Sequence, residues 1–488
     1  MKNLSLILLG GITVASATSC ANSKEGITKT PNVIYFLADD LGIGDISCYG
    51  QQHFSTPNID LLAKHGIRFT QHYAGSTVSA PSRSVLMTGQ HTGHTPIRDN
   101  KDNLGPDNKK SIVDSNVYSM ARLFKDAGYT TGAFGKWGLG ETFTEGSPNN
   151  QGFDEFVGYI DQGRAHRYYP EYIWHNEEKL PLEGNDTKST MTYSADVIQK
   201  HALDFIRENK DKSFFAYVPV TLPHAEMFAP DDEILAQFKG KFEEKPYAKN
   251  KDGEAYGSKD FNYNLYSPQE APFAHYAAMV TRLDMFLGEI VSLVKVLGLE
   301  ENTLIVFSSD NGCTSEGGYQ ADYFNSNGPL RGYKRDLTDG GIRAPMIASW
   351  KGKFPENRTS DMICAFWDIL PTFGDVVNVE IPSTIDGISI LPELMGNSKE
   401  QEQHDCLYWE FRRNTAVRMG DWKMIAKELN EDGTYTNIEL YNIKEDIGET
   451  KNVASSNPNV VARGLDFIKK EHAKSNAFLR WDEMKHND

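Results

Sequence analysis

The strongest chemical signal in the sequence is Ser79-Ala80-Pro81-Ser82-Arg83, which continues to Leu86-Met87-Thr88-Gly89. Pro81 suits the first turn of a helix and Gly89 suits its end. Ser79 would then lie at a helix N-terminus, where the dipole and the first N–H groups favour an anion. Arg83, one turn further along, could direct its planar guanidinium toward the same anion. On these residues alone, a capped helix with a surface arginine remains the alternative.

Two oxygen-rich dipeptides, Asp39-Asp40 and Asp310-Asn311, provide a second signal. Carboxylate and amide oxygens are the ligands that hard divalent cations prefer. Either dipeptide alone is more typical of a turn.

The elements that would position these residues follow from hydrophobic patterning. Apolar runs predict buried strands at residues 32–37, 130–134, 214–220, 303–308 and 346–350. Helical spacing predicts helices at residues 59–66, 116–127, 195–208 and 275–299. This alternation predicts an α/β fold with a mostly parallel sheet and helices on both faces.

Polar residues fall just past several of the predicted strands, and these residues are Asp39, Asp40, Lys136, His224 and Asp310. Ligands bind at the carboxyl ends of strands in open α/β sheets. The sequence therefore predicts one site assembled from distant parts of the chain.

The type of predicted element changes near residue 385, from alternating strands and helices to short antiparallel strands. Short antiparallel strands are predicted at residues 406–411, 415–418 and 422–425, with a terminal helix at 460–475. We therefore divide the chain into a catalytic domain at 31–384 and a smaller C-terminal α+β subdomain at 385–488.

Residues 1–20 are typical of an export signal, with Lys2 before an apolar run and small residues leading to Cys20. A cysteine after small residues resembles a bacterial lipobox, which predicts a lipid anchor on Cys20 and a polar tether at 21–30. The alternative is a plain cleaved signal. We expect an exported lipoprotein, periplasmic or associated with the outer membrane.

The net charge of −17, from 50 basic and 67 acidic residues, disfavours nucleic acid as a partner. It does not exclude a small anionic substrate, since a few buried cations can bind one anion. The remaining cysteines show no metal spacing, so buried free thiols are expected, with one disulfide possible after export; they are Cys48, Cys313, Cys364 and Cys406.

The segment around Ser79 resembles the signature of the sulfatase family, Cys or Ser-x-Pro-x-Arg followed by Thr-Gly, and the resemblance extends over residues 31–450. It implies an alkaline-phosphatase-like sandwich, with a large mostly parallel sheet flanked by helices and a short antiparallel sheet in the C-terminal subdomain. It also implies oxidation of Ser79 to formylglycine (3-oxoalanine). The serine version implies a radical-type bacterial maturing enzyme as partner. A hydroxyl of the hydrated aldehyde would then attack sulfur.

The same resemblance assigns further roles. Asp39, Asp40, Ser79, Asp310 and Asn311 resemble the calcium ligands of the family. The stretch Gly135-Lys136-Trp137-Gly138-Leu139-Gly140 resembles Gly-Lys-Trp-His-Leu-Gly, so Lys136 would hold a sulfate oxygen. Gly138 replaces the histidine of many relatives. The base for the second step is therefore open between another histidine and Lys136 alone.

Pro223-His224-Ala225 resembles Pro-His-x-Pro, which makes His224 the first choice as general acid. Lys334 resembles the second catalytic lysine, and Arg83 would add positive charge. The stretch from Asp339 to Pro345 resembles Glu-Gly-Gly-x-Arg-x-Pro, and its Asp339–Arg343 pair is expected to be mainly structural.

Substrate contacts are predicted in polar loops, where ordinary loop polarity is the alternative; they are Arg98, His166, Arg167, Asp322, Asn325 and Asn327. Trp409-Glu410 could close one wall of the pocket. The resemblance implies a carbohydrate sulfatase, exo-acting on sulfated galactose or N-acetylgalactosamine of glycans, with the 3-O, 4-O or 6-O position open. The alternatives are a phosphatase or phosphodiesterase using Ser79 itself, and a non-catalytic lipoprotein that binds sulfated glycans.

Overall fold

The computed structural model describes residues 30–100, 114, 116–248, 254–475 and 477–484. Its strands are, in chain order, β1 Asn32–Ala38, β2 Ile67–Phe69, β3 His72–Tyr73, β4 Thr130–Lys136, β5 Glu155–Tyr159, β6 Tyr172–His175, β7 Glu178–Pro181, β8 Phe214–Pro219, β9 Thr303–Ser309, β10 Met346–Ser349, β11 Arg358–Ser360, β12 Cys364–Ala365, β13 Leu407–Phe411, β14 Asn414–Met419, β15 Trp422–Leu429 and β16 Tyr435–Asn442. Its α-helices are α1 Pro57–Lys64, α2 Ser79–Thr88, α3 Met120–Asp126, α4 Ser194–Glu208, α5 Glu233–Ala236, α6 Pro272–Val296, α7 Ala321–Phe324, α8 Asp339–Ile342, α9 Ile369–Val377, α10 Leu391–Leu394 and α11 Pro458–Glu471.

A ten-stranded sheet in the order β11-β2-β10-β9-β1-β8-β4-β5-β6-β7 organises the molecule. Its centre, β9-β1-β8-β4-β5, is parallel, whereas β10, β6 and β7 pair antiparallel toward the edges. The predicted α/β fold with a large mostly parallel sheet is confirmed. The direction of β10 was not predictable, because hydrophobic periodicity does not encode strand direction.

Strand β1 shows why the sheet is buried on both faces. Its side chains alternate between two apolar layers, with Tyr35 and Leu37 in one and Ile34 and Phe36 in the other. All seven residues of the strand are buried. Helices cover both faces, so a near-continuous apolar run is the expected sequence for this position.

The C-terminal part forms a four-stranded antiparallel sheet, β13-β14-β15-β16. One face packs on the main body through Trp409. On the other face, Val417 of the sheet shares an apolar cluster with Ile468 of α11. The predicted short antiparallel sheet is confirmed. Strand β16 escaped prediction because its sequence is largely polar and only two of its eight residues are buried.

A buried group of charges, which we call the Lys423 cluster, joins this sheet to the main body; it comprises Asp339, Arg343, Arg418, Lys423 and Glu449. Lys423 Nζ lies 2.6 Å from Asp339 Oδ1 and 3.1 Å from Glu449 Oε1. Arg343 approaches the other oxygen of Asp339 at 3.2 Å. The expected structural role of the Asp339–Arg343 pair thus extends to the C-terminal sheet.

Several predicted boundaries move for local reasons. The helix expected at 116–127 begins at Met120, because the Ser119 hydroxyl accepts a hydrogen bond from Arg122 N and caps it there. Lys136 ends β4 rather than following it. The four cysteines of the described residues are free thiols. No helix among those residues is long and apolar enough to cross a membrane. The signal, the tether up to residue 29 and Cys20 lie outside the described residues.

Candidate functional site

The carboxyl ends of β1, β4, β8 and β9 meet at one edge of the sheet and carry most of the predicted site. Asp39 and Asp40 directly follow β1, and Asp310 directly follows β9. Oxygen atoms of Asp39 and Asp40 and a ring nitrogen of His224 lie within 4.8 Å of one another. The structure thus brings together residues that are far apart in the sequence.

Ser79 is the first residue of α2, where its side chain is 1% exposed. Its hydroxyl donates to Asp39 Oδ1 at 3.1 Å, and Lys136 Nζ donates to it at 3.3 Å. Lys136 also contacts Asp39 Oδ2 at 2.7 Å. Although burial raises the pKa of Asp39, Lys136 and other nearby cations hold that pKa well below its usual range. A reacting group at this position is therefore flanked by one anion and one cation.

Arg83 differs from its predicted orientation. Its Nε and Nη2 donate to Asp310 Oδ2 at 3.1 and 2.9 Å, and its Nη1 donates to the Lys136 carbonyl. The side chain is fully buried. The guanidinium therefore fixes Asp310 and the end of β4, instead of directing its donors toward a substrate anion.

The acidic residues fit a calcium ion on the chemistry of their donors. Asp39, Asp40, Asp310 and Asn311 are all buried. Asn311 Nδ2 donates to Asp40 Oδ1 at 2.7 Å, while Asn311 Oδ1 is buried with no hydrogen-bond partner in the described part of the chain. An unpartnered amide oxygen beside three carboxylates is a donor set that calcium prefers.

His224 and Lys334 contact each other next to Asp40. The His224 ring donates from Nδ1 to the Ala225 carbonyl at 2.5 Å, so its Nε2 accepts from Lys334 Nζ at 3.2 Å. Burial and the Lys334 charge lower the pKa of His224 to about 3. Lys334 also contacts Asp40 Oδ2 at 2.7 Å. Lys334 thus donates to the ring of His224 in this arrangement, and the role of His224 as general acid stays a prediction.

His166 is the predicted substrate contact that the structure brings to this centre. Its ring stacks on that of His224, with centroids 5.0 Å apart and planes 6° apart. Burial, reinforced by the positive charges of Lys136 and Lys334, lowers the pKa of His166 well below its usual range. The ring is therefore neutral, and its buried Nδ1 has no hydrogen-bond partner among the described residues.

Arg167 and Arg98, which were predicted as substrate contacts, each pair with a buried carboxylate. Arg167 is fully buried and pairs with Glu226 at 2.8 Å. Arg98 pairs with Glu410 at 3.0 Å and donates to the Ala473 carbonyl, so it ties the main body to the C-terminal part. Trp409 is fully buried and donates to the Ala74 carbonyl. The Trp409-Glu410 pair thus serves packing and not a pocket wall.

The three polar residues before Lys334 act on its loop or on their own helix. Asp322 accepts a hydrogen bond from Tyr333, and Asn327 donates to the Gly332 carbonyl. Asn325 adopts a left-handed conformation, with φ of 52°, at the end of α7. Asp322 and Asn327 therefore hydrogen-bond the segment that carries Lys334.

Three further residues were not predicted, namely Tyr266 and Glu316, which contact His166 and Lys334, and Gln162, which lies against Gly138. Tyr266 packs edge-on against His166, and its hydroxyl lies 3.1 Å from Glu316 Oε2. Glu316 is 4.0 Å from Lys334 Nζ. The only sequence signal for Gln162 is the glycine at position 138, which leaves room for a side chain from elsewhere. No sequence signal marks Tyr266 or Glu316.

Comparison with protein families agrees with this arrangement. The Sulfatase family model matches residues 31–379, and the model described as N-sulphoglucosamine sulphohydrolase, C-terminal, matches residues 332–467. An N-acetylgalactosamine-6-O-sulfatase of Bacteroides thetaiotaomicron is 29% identical, over 94% of this chain and 98% of that protein. An N-acetylgalactosamine-6-sulfatase of Canis lupus familiaris is 27% identical, over 82% of this chain and 72% of that protein.

Solved structures share the fold. Ps i-CgsB in complex with k-i-k-neocarrahexaose superimposes with a TM-score of 0.72 at 26% identity, covering 93% of this chain and 94% of that one. The phosphonate monoester hydrolase of Agrobacterium radiobacter superimposes with a TM-score of 0.62 at 20% identity, covering 90% and 94%. The second likeness concerns the fold alone.

Proposed function

Because this chain belongs to the sulfatase family and is a sulfuric ester hydrolase, we propose that it removes sulfate from sugars, acting on terminal sulfated galactose or N-acetylgalactosamine units. The observation that carries the proposal is the buried convergence of Lys136, Lys334 and His224 beside Ser79. Buried cations bind a sulfate ester strongly, because no water screens their charges. The names of the matched proteins support a carbohydrate as the alcohol component.

The sulfatase family generally uses formylglycine and a metal ion, and the residues around Ser79 fit both groups. Formylglycine would supply a hydrated aldehyde for attack on sulfur, and calcium held by Asp39, Asp40, Asp310 and Asn311 would polarise a sulfate oxygen. Ser79 is suitably placed for this role because its hydroxyl contacts both Asp39 and Lys136. The serine at this position supports a radical-type maturing enzyme as partner.

Proton transfer falls to Lys334 and His224 in this proposal. The departing sugar oxygen needs a proton as the S–O bond breaks. Lys334 holds that proton 3.2 Å from His224 Nε2, and Asp40 keeps the ammonium in place at 2.7 Å. Lys136, whose Nζ lies 3.3 Å from the Ser79 hydroxyl, orients the sulfate and offsets its charge.

A panel of defined sulfated sugars tests the function. We expect sulfate release from a 3-O-, 4-O- or 6-O-sulfated galactose or N-acetylgalactosamine, measured by ion chromatography with protein made in a host that supplies the maturing enzyme. Unsulfated sugars and aryl phosphates are the controls. Turnover of an aryl phosphate with no release from any sulfated sugar would contradict the proposal and favour a phosphatase.

Metal removal should abolish most of this activity. Without a divalent cation, three buried carboxylates would face the substrate anion, so we expect EGTA to lower kcat/KM by about a hundredfold or more. Calcium should restore the rate and raise the melting temperature, because it binds the folded state. Full activity in protein shown by elemental analysis to be metal-free would refute the calcium site.

A further inference from the structure

Gly138 leaves a space beside the site that another residue fills. Gly138 lies two residues after Lys136 and has φ of +72°. A Cβ atom built on it would lie 2.0 Å from Nε2 of Gln162. Gln162 therefore places its amide where a side chain at position 138 would begin.

Backbone hydrogen bonds fix this juxtaposition. Trp137 N donates to the Tyr159 carbonyl at 2.9 Å, and Gly138 N donates to the Ile160 carbonyl at 3.0 Å. These bonds continue the β4–β5 pairing beyond the strands. The segment after β5 is thereby held against the residues that follow Lys136, and Gln162 lies on that segment with its amide against Gly138.

The amide of Gln162 has a donor without an acceptor. Its Nε2 is buried and has no hydrogen-bond partner within the described residues. Four residues further along, the buried Nδ1 of His166 also has none. Buried polar atoms are rarely left unpaired in folded proteins, and doing so is costly. An acceptor supplied by a ligand would satisfy the amide.

We propose that Gln162 is a substrate-binding residue that donates its amide N–H to an oxygen of the sulfate ester group. The inference rests on the proposed sulfatase function and deepens it. Lys136, whose Nζ lies 3.3 Å from Ser79 Oγ, is two residues before Gly138, against which the Gln162 amide lies. Because an amide does not take up a proton at neutral pH, this position contributes binding and not proton transfer.

Equilibrium binding to a Ser79→Ala parent tests the inference without turnover. The probes are inorganic sulfate, N-acetylgalactosamine 6-sulfate and unsulfated N-acetylgalactosamine, each followed by calorimetry. We expect Gln162→Ala to weaken binding of both sulfated probes by about ten- to a hundredfold, as for loss of a hydrogen bond to a charged group. Gln162→Glu should weaken it further by repulsion. Gln52→Ala, which changes an exposed glutamine, is the matched control.

The outcomes separate the two proposals. A parent that binds neither sulfated probe would overturn both the sulfatase function and the role of Gln162. A parent that binds sulfate, with the Gln162→Ala variant within about twofold of it, would overturn the role of Gln162 alone. Equal weakening of the unsulfated sugar would likewise overturn the assignment to sulfate.

A double-mutant cycle with Gly138 distinguishes contact from a general structural effect. In Gly138→Ala the new Cβ would displace the Gln162 amide, so we expect a similar loss of sulfate binding. Adding Gln162→Ala to Gly138→Ala should then cause little further loss, because coupled residues are not additive. Melting temperatures of the ligand-free variants verify folding. Losses that multiply independently would contradict the proposed contact.

Discussion

Replacement of Ser79 by alanine should lower kcat/KM for the sulfated substrate by about four orders of magnitude or more. The hydroxyl is the group held between Asp39 Oδ1 and Lys136 Nζ, and no other hydroxyl contacts both among the described residues. Loss of a nucleophile commonly has an effect of this size. Sulfate release under single-turnover conditions measures it.

Two controls accompany this variant. Ser55→Ala alters an exposed serine and should retain full activity. Mass analysis of the peptide containing Ser79 should find the residue lighter by two hydrogens in active wild-type protein, as conversion to formylglycine requires. Active protein with an unmodified serine would exclude formylglycine, and activity retained in Ser79→Ala would exclude the residue altogether.

The second large effect is on stability, in Lys423→Met. Lys423 is fully buried and lies 2.6 Å from Asp339 and 3.1 Å from Glu449. Removing one partner of a buried ion pair leaves uncompensated charge, so we expect the free energy of unfolding to fall by about 3–5 kcal/mol. Denaturant titration followed by tryptophan fluorescence measures the change.

Lys427→Met is the matched control, since it lies on the same strand. Its Nζ is 2.6 Å from Glu439, but its side chain is about one-third exposed. Exposed pairs contribute at most about 1 kcal/mol. The double variant Asp339→Asn with Lys423→Met should lose less than the sum of the single losses. A Lys423→Met loss no larger than that of Lys427→Met would show that the Lys423 cluster does not hold the C-terminal sheet.

The sequence was sufficient to predict residues that lie at or just beyond the ends of central strands. Asp39, Asp310 and Lys136 could be placed together because parallel strands end at one edge of a sheet. Side-chain direction was not predictable in the same way. Arg83 turns to Asp310 and Arg167 to Glu226, because each buried guanidinium pairs with the nearest buried carboxylate.

Loop geometry explains what remained hidden. Gln162 and Glu316 belong to irregular segments whose conformations depend on tertiary contacts, so no periodicity marks them. Arg98 was predicted as a sugar contact because it is an arginine near Ser79 in the sequence. It instead meets Glu410, which is 312 residues away along the chain. Such long-range partners do not appear in local patterns.

The Lys423 cluster also constrains the order of events during synthesis. Asp339 leaves the ribosome 84 residues before Lys423. Until that lysine arrives, burial of Asp339 lacks one of its main counter-charges, so the segment from Lys334 to Arg343 should close late. Ser79 is 1% exposed once folding is complete. An enzyme that modifies this residue, as proposed above, would therefore have to reach it before the catalytic edge closes.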